Sequence, residues 1–293
     1  MSVTAVTVTR TLRLSPGMVR VTVTGPTLGE YRSTGVGDEY VRVHFPEPDG
    51  TLPEPRERED GNWDFGEAPY PHVQPYTIRA HRPEQAEMDL DFVLHGHGRA
   101  AAWAGSAVPG ERLLFGEPRA LFAPPAGADR FVFATDATGL PALGRLLEQL
   151  APGDRALAIV EIAEAGHEIA LSSPAEVTVR WLPGRGNGIA PSALTEALRE
   201  SLREGLGDTG YVWVAGESKE LRRARKLLRH ELGLSAEHYR VIGYWTDKAE
   251  AWVASYEALD ESTRAGLAAI WAETDDEELG RDRYERRLES LGL

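Results

Sequence analysis

Tyr76-Thr77-Ile78-Arg79 combines side chains suited to a flat, phosphorylated ligand. A tyrosine ring held on a strand can stack on a heterocycle. The Thr77 hydroxyl both donates and accepts hydrogen bonds, and the planar fork of Arg79 fits a diphosphate or braces a loop. Over four residues, a plain surface strand reads the same way. Further on, Asp91-Phe92-Val93-Leu94-His95 runs through Gly96-His97-Gly98 into Arg99-Ala100-Ala101-Ala102-Trp103-Ala104. That order is strand, glycine turn, helix start, and the free N–H groups and dipole at such a helix end favour an anion. His95 and His97 have weak spacing for a metal, so no metal site is assigned.

Two later segments resemble each other in context. Ala134-Thr135-Asp136-Ala137-Thr138-Gly139-Leu140-Pro141 places small and hydroxyl residues after an apolar strand, and Val212-Trp213-Val214-Ala215-Gly216-Glu217-Ser218 does so again. Neither is a GxGxxG fingerprint. Both nevertheless stand where open α/β sheets bind ligands, at the carboxyl ends of parallel strands. Asp136 and Glu217 suit general bases, helix N-caps or hydrogen-bond partners of a nucleotide, the last two roles being the more ordinary.

The elements that must position these residues fall into three groups. Ala5–Leu14, Met18–Thr24 and Tyr40–Phe45 alternate with period two, and Ser15-Pro16-Gly17 supplies the first turn. Pro46–Val73 lacks periodicity and is expected to be a surface loop, after which strands resume at Tyr76–Arg79, Met88–Leu94 and Arg112–Phe115. With one short helix at Ala100–Ala107, this is the pattern of a small antiparallel barrel. Beyond Pro124-Pro125, strands at Arg130–Thr135, Ala156–Glu161, Val177–Leu182, Tyr211–Ala215 and Tyr239–Gly243 alternate with helices at Leu140–Leu150, Pro191–Leu206 and Lys219–Leu232. That alternation predicts a doubly wound parallel sheet. The tail has helical spacing at Trp252, Tyr256 and Leu259, then at Leu267, Ile270 and Trp271, then at Tyr284, Leu288 and Leu291. The expected architecture is therefore an N-terminal antiparallel barrel (1–124), a doubly wound α/β domain (125–248) and an acidic helical extension (249–293).

Composition narrows the partners. The 293 residues include no cysteine, which removes disulfides, thiolate metal sites and a catalytic thiol. A net charge of −14 argues against nucleic acid as the main partner. The tail holds 12 acidic and 5 basic residues, so half of that charge lies outside the two expected domains. No stretch reaches the ~18 apolar residues of a membrane span, and Met1–Thr24 lacks the apolar core of a signal peptide. A soluble cytoplasmic protein is expected, with no nucleic-acid and no membrane partner.

Taken in order, YTIR, DFVLHG, the small-residue helix ending in WA, ATDATGLPALGRLLE, VWVAGES and VIGYW resemble the siderophore-interacting protein family over about Val3–Lys248. The resemblance implies an FAD-dependent ferric-siderophore reductase of the ferredoxin-NADP reductase superfamily, with an FAD-binding barrel and an NAD(P)H-binding α/β domain. It implies FAD contacts from Gln74, Tyr76, Thr77, Ile78 and Arg79, and from Phe92 and Val93. The diphosphate would be held at His95, Gly98, Ala100 and Ala101. Asp136 and Thr138, with the aromatic pair Tyr244-Trp245, match positions facing the flavin. Thr138, Gly139, Gly216 and Glu217 match the nicotinamide side.

The chain departs from the family pattern at Gln74, where an arginine is expected, and at Gly98-Arg99-Ala100-Ala101, which lacks a serine. Losing one charge-assisted hydrogen bond costs on the order of 1.5–3 kcal/mol, so FAD binding is expected to be weaker unless Arg99 restores the charge. The implied activity is reduction of a ferric siderophore to release Fe(II), with electrons from NAD(P)H or from a ferredoxin. Lys248, one of three lysines, suits an anionic chelate at the pocket mouth, or is a solvated lysine flanking a helix. Arg185, Arg222 and Arg223 are the candidates for a 2′-phosphate. Two other readings stay open: a flavin or ferredoxin-NADP-type reductase with another acceptor, and a redox-inactive flavin- or siderophore-binding protein. The tail either packs on the body or builds a homo-oligomer.

Overall fold

The computed structural model describes residues 4–47, 49–52, 56–57, 63–64, 73–95 and 98–293. Alternating Val and Thr build β1 (Thr4–Ser15) and β2 (Met18–Thr24), joined at Pro16-Gly17 so that Ser15 lies opposite Met18. β3 (Tyr40–His44) follows. Inside the segment expected to be a plain loop, β4 (Arg56–Glu57) pairs antiparallel with β5 (Trp63–Asp64). That two-residue ladder is too short to leave a periodic signal in the sequence; the remainder of the segment between 53 and 72 lies outside the described residues. β6 (Val73–Thr77), β7 (Ala80–Arg82), β8 (Glu87–Val93), α1 (Arg99–Ser106) and β9 (Arg112–Phe115) complete this part of the chain.

The seven antiparallel strands run in the order β6-β3-β9-β1-β2-β8-β7. β6 and β7 stand at opposite ends of that order, yet only Ile78 and Arg79 separate them in the chain. A flat sheet of that width spans ~29 Å, whereas the link reaches at most ~11 Å. The sheet must therefore curl into a barrel. Ile78 N–H donates to Glu39 O at 2.9 Å and Arg79 N–H to Asp89 O at 2.8 Å, which pins both sides of the seam. Val21, Val23, Val41, Val43, Phe45, Met88, Leu90 and Phe115 fill the interior with no exposed surface, each contributing about 1.5–3 kcal/mol.

By contacts the chain forms two compact units: Met1–Phe122 with Thr138–Pro152 and Ala163–Ala175, and Ala123–Ala137 with Gly153–Ile162 and Glu176–Leu293. The first therefore includes α2 (Leu140–Glu148), held on the barrel through Arg79–Glu148 at 2.5 Å and Arg145–Glu39 at 3.1 Å. Gly37 meets the Leu146 backbone, where a Cβ would stand 2.8 Å from its Cα.

The second unit is built on β10 (Arg130–Thr135), β11 (Arg155–Ile162), β12 (Glu176–Pro183), β13 (Gly210–Glu217) and β14 (Tyr239–Trp245). These are all parallel, in the order β12-β11-β10-β13-β14. Chain order reverses between β10 and β13, the topological switch point of a doubly wound sheet. β13 is buried along nearly its whole length, which explains its unbroken apolar run. α3 (Leu194–Ser201) and α4 (Ser218–Lys226) are the crossover helices within this unit. Residues 163–175, between β11 and β12, contain no helix, so the strand–helix alternation is incomplete there. α3 begins later than its apolar spacing predicts because the Ala193 N–H is taken by Glu161 and the Leu194 N–H by the Ser192 hydroxyl. α4 runs on through a π turn at Leu227–Glu231.

The tail forms α5 (Ala249–Glu257), α6 (Glu261–Ala269) and α7 (Glu277–Ser290). Trp252 stacks on Tyr256, as their helical spacing predicts, while Trp271 meets Tyr284 of the following helix, a tertiary contact. α7 packs on α4 of its own chain through Arg225, whose side chain is 3% exposed and bonds Glu278 at 3.0 Å and Glu285 at 2.5 Å. Burial pushes the Glu285 carboxyl above its ordinary value even beside Arg225. Such a triad fixes where the helix docks more than it adds net stability. Arg225→Met, which strands the buried Glu278 and the half-buried Glu285 carboxylates, should cost about 3–5 kcal/mol in urea unfolding. Glu176→Ala, at an exposed pair with Arg155, should change stability by less than about 0.5 kcal/mol.

Candidate functional site

Within the barrel unit, the expected ligand residues gather around a cluster of aromatic rings. Tyr76 lies opposite Val41 on β3, and Gln74 opposite Val43, so both face the side that carries the core. The half-buried Tyr76 ring tilts against Phe92 at 4.5 Å between centroids and meets Phe45 edge-on at 5.7 Å. Burial drives its phenol pKa well above the ordinary value, so it is a neutral hydroxyl. Tyr76 thus joins the core with part of its ring and leaves the rest accessible. Thr77 is buried, and Ile78 is wholly so, contributing only backbone to the barrel surface. Arg79 braces α2: its guanidinium makes a two-pronged contact with Glu148, at 2.5 and 3.0 Å.

Phe92 is buried and Val93 half-buried at the end of β8, and His95 is exposed beyond them. Gly98 caps α1 with φ 90° and ψ 142°, a conformation reserved for glycine. It offers no side-chain cap, and a Cβ there would stand 3.3 Å from the His95 ring. The first-turn N–H groups of α1 have no acceptor within the helix, while buried Ala100 and Ala101 bring its backbone close to the barrel. Arg99 does not take up the charge lost at Gln74: its guanidinium bonds the Pro46 carbonyl and, at 3.3 Å, Glu47. Trp103, packed on Phe45 and Phe92, has a buried indole N–H with no partner among the described residues.

In the second unit, the carboxyl ends of the strands form one connected cluster. Asp136, 2% exposed after β10, accepts from the Trp245 indole N–H at 2.7 Å and from the Glu217 N–H at 3.1 Å. Gly216 has φ 151°, and a Cβ there would lie 2.7 Å from the Asp136 carboxylate, so only glycine lets the strands close on it. Glu217 caps α4, accepting from the Glu220 N–H at 2.8 Å and from the Asp247 N–H at 3.1 Å. Ser218 donates to the Trp245 carbonyl at 2.9 Å. Tyr244 meets Trp213 edge-on. Thr138 and Gly139, in a 3-10 turn leading into α2, belong to the first unit rather than to this cluster. Lys248 is exposed, with φ 52°, at the start of α5.

Three participants were not expected from the sequence: Glu161, the backbone turn that carries the candidate Arg185, and the Trp103 indole N–H. Glu161, the penultimate residue of β11, is 1% exposed and accepts from the Ala193 N–H. Burial pushes its carboxyl up to about 7, with Asp136 adding to the rise and the hydrogen bonds opposing it. The Gly-Arg-Gly-Asn-Gly turn at 184–188 closes over it: Asn187, at φ 55°, accepts from the Ala137 N–H at 3.0 Å, and Gly188 borders the Trp245 ring. An acid ending an apolar strand and a turn with three glycines in five residues were the available signals. Nothing marks the third, the Trp103 N–H, in the sequence.

The residues in the barrel unit fit a dinucleotide such as FAD. A tilted tyrosine, an orphaned indole N–H and an uncapped helix end behind a glycine are donors and surfaces for a flat ring and a diphosphate. The phosphate charge would be met mainly by backbone N–H groups, since Gln74 is neutral and Arg99 is engaged elsewhere. Among the described residues no group of three or more His, Asp or Glu side chains is placed to hold a metal.

Comparison with known proteins is consistent across sequence and structure. Residues 7–122 match the siderophore-interacting FAD-binding domain, and 128–248 match the siderophore-interacting protein family. The fold is similar to the crystal structure of a siderophore utilization protein from T. fusca, with TM-score 0.69 and 30% identity, covering 84% of this chain and 93% of that one. The chain is 29% identical over 238 residues to the ferric vibriobactin reductase of Vibrio cholerae, covering 79% of this chain and 85% of that one. It is also 27% identical over 245 residues to the NADPH-dependent ferric-chelate reductase of Escherichia coli, covering 83% and 92%.

The raised Glu161 carboxyl sets a pH dependence. The folded chain holds this proton up to about pH 7, against an ordinary value of 4.5. Its contribution to stability is complete below the ordinary value and is lost as pH rises through 7. Glu161→Gln lacks that loss, so relative to the parent it should gain stability, on the order of 2 kcal/mol, between pH 5 and pH 8. Urea unfolding at the two pH values checks this; parallel curves would show that Glu161 is ionised throughout.

Proposed function

The chain belongs to the siderophore-interacting protein family, and from that premise we propose that it reduces the iron(III) of a siderophore or similar chelate, using FAD and NAD(P)H, to release iron(II). The observation that carries this reading is the pairing, in one chain, of an aromatic-lined barrel cradle at Tyr76 and Gly98 with a switch-point cluster at Asp136, Gly216 and Trp245. When bound, FAD supplies the chemistry that links a two-electron donor to one-electron reduction of iron.

The residues of the chain have separable tasks. Tyr76 and Phe92 offer rings held in place by Phe45, so the flat part of a cofactor meets a surface that is already ordered. The α1 N-terminus offers N–H groups and the positive end of a helix dipole to a diphosphate. Asp136 fixes the Trp245 ring and the Gly216-Glu217 turn, the edge along which a nicotinamide nucleotide is expected to lie. Lys248 stands at the positive end of α5, and we assign it the attraction of an anionic chelate. Iron(II) binds hard oxygen chelators more weakly than iron(III), so reduction itself drives release and no protein ligand for iron is needed. The nucleotide-type cluster favours NAD(P)H over ferredoxin as donor. The α7 face that docks on α4 is already used within the chain, so the reading invokes no oligomer. No helix among the described residues is long and apolar enough to cross a membrane.

Purified protein loaded with FAD should form iron(II), trapped by a ferrous-specific dye, only when both NAD(P)H and a ferric siderophore are present. Efficient turnover of ferredoxin or free flavin with no ferric-chelate reduction would defeat the reading, and failure to bind FAD would leave only a redox-inactive binding protein. Tyr76→Ala should weaken FAD binding at least about tenfold in a fluorescence titration. Because the ring also packs on Phe45 and Phe92, that titration belongs below the variant's lowered unfolding midpoint. Gln74→Arg should tighten FAD about tenfold by restoring a charge-assisted bond. No gain would show that backbone N–H groups already suffice.

A further inference from the structure

Resting on the reading that Trp245 borders the coenzyme edge, we propose that Arg225 is a positioning residue that holds this ring in place through β14. Glu278 and Glu285 of α7 aim its guanidinium. The helical tail thereby braces the site, although it lies beyond residues 128–248, which match the family.

β14 is the last strand of its sheet and pairs with β13 alone. Peptide groups on its other side must find partners elsewhere. At Val241, 4% exposed, side chains meet both of them. The Arg225 guanidinium donates to the Val241 carbonyl at 2.9 Å, and the Glu278 carboxylate accepts from the Val241 N–H at 3.5 Å. Further along, the Trp245 carbonyl accepts from the Ser218 hydroxyl at 2.9 Å. Ser218 and Arg225 both lie on α4, about 10.5 Å apart along the helix axis. Val241 and Trp245 lie on β14, about 13 Å apart along the strand. The two spacings are close, so α4 holds β14 at two points, Ser218 in front and Arg225 behind.

Between these anchors the strand departs from regular pairing. Gly243 approaches Ser218 so closely that a Cβ there would stand 2.5 Å from Oγ. The register with β13 then slips, so that Tyr244 is passed over and Trp245 lies opposite Glu217. A bulge re-aims the side chains around it. Here it aims the Trp245 indole at Asp136, 2.7 Å away. That bond tolerates little change in distance or angle, so a shift of the strand at Val241 reaches the ring. The rear anchor is itself fixed. Arg225 Nε bonds Glu278 at 3.0 Å, Nη1 bonds Glu285 at 2.5 Å, and Nη2 is left for the Val241 carbonyl. A lysine ammonium does not reproduce this planar fork. Docking of α7 on α4 alone would need no bond to the β14 backbone; the contact at Val241 is what ties the tail to the site.

The test reads Trp245 directly by NMR of the full chain carrying 15N-labelled tryptophan, its indole signal being identified by its loss in Trp245→Phe. Arg225→Lys should shift this signal and speed its exchange with solvent at least about tenfold, the mark of a local opening. The Trp103 signal should stay in place. Glu278→Gln, the milder change, should move the Trp245 signal by less. Leu288→Ala trims a buried α7 side chain outside the triad; it should lower the urea midpoint and leave Trp245 as it is. With FAD bound, Arg225→Lys should raise KM for the coenzyme about tenfold while FAD affinity holds. An unmoved Trp245 signal in both Arg225→Lys and Glu278→Gln, an equal movement in Leu288→Ala, or a moved signal with unaltered KM overturns the proposal. If the parent chain reduces no ferric chelate with either coenzyme, the proposed function fails, and the Trp245 signal alone decides the positioning.

Discussion

The Asp136 carboxylate is the constraint on which the second unit's working edge depends. It sits almost without solvent at the end of the central strand and draws in one N–H from β13 and one from the last residue of β14. A buried carboxylate is tolerable only when such donors surround it. The requirement runs outward from there: Gly216 must lack a side chain, Glu217 must turn to cap α4, and Trp245 must aim its indole inward. Three strand ends are thereby set by one charge. A crevice at a switch point is a general property of the fold, but its shape in this chain comes from that carboxylate.

In the barrel the governing constraint is covalent. Two residues join strands at opposite ends of the sheet, so closure follows from chain length before any side chain is considered. The same two residues carry consequences for the site. Ile78 seals the core, and Arg79 clamps α2 through Glu148, leaving Tyr76 just before them at the rim among Phe45 and Phe92. Stiffness where the cofactor is expected to bind and closure of the fold are therefore the same feature. That coupling explains why an aromatic ring can be both a core residue and a ligand surface.

Charge is arranged less uniformly than a net −14 implies. Part of the tail's acidity is internal, with Glu278 and Glu285 closed around Arg225 and Asp282 beside His230. At the strand ends the acids are directed at backbone N–H groups, while Arg185 and Lys248 remain exposed. An acidic protein can thus present locally positive ground to phosphates and to an anionic iron chelate.

Much of this was legible in the amino-acid order. Period-two alternation marked β1, β2 and β3, the apolar run of β13 marked a central strand, and the ordered motifs pointed to Tyr76, Asp136 and Gly216 as expected ligand positions. Local patterning and glycine placement suffice for that, because strand periodicity and backbone sterics act over a few residues. The role of each charged side chain was another matter. Arg79 and Arg99 carried forks suited to a diphosphate, yet they are paired with Glu148 and Glu47. Glu161 looked like the end of an ordinary strand and is a buried, proton-holding group under a glycine turn. The sequence by itself determined the elements and the types of residue at their ends. Only the tertiary structure decided which charges face solvent and which face each other, because that depends on partners distant in the chain and on the burial they share.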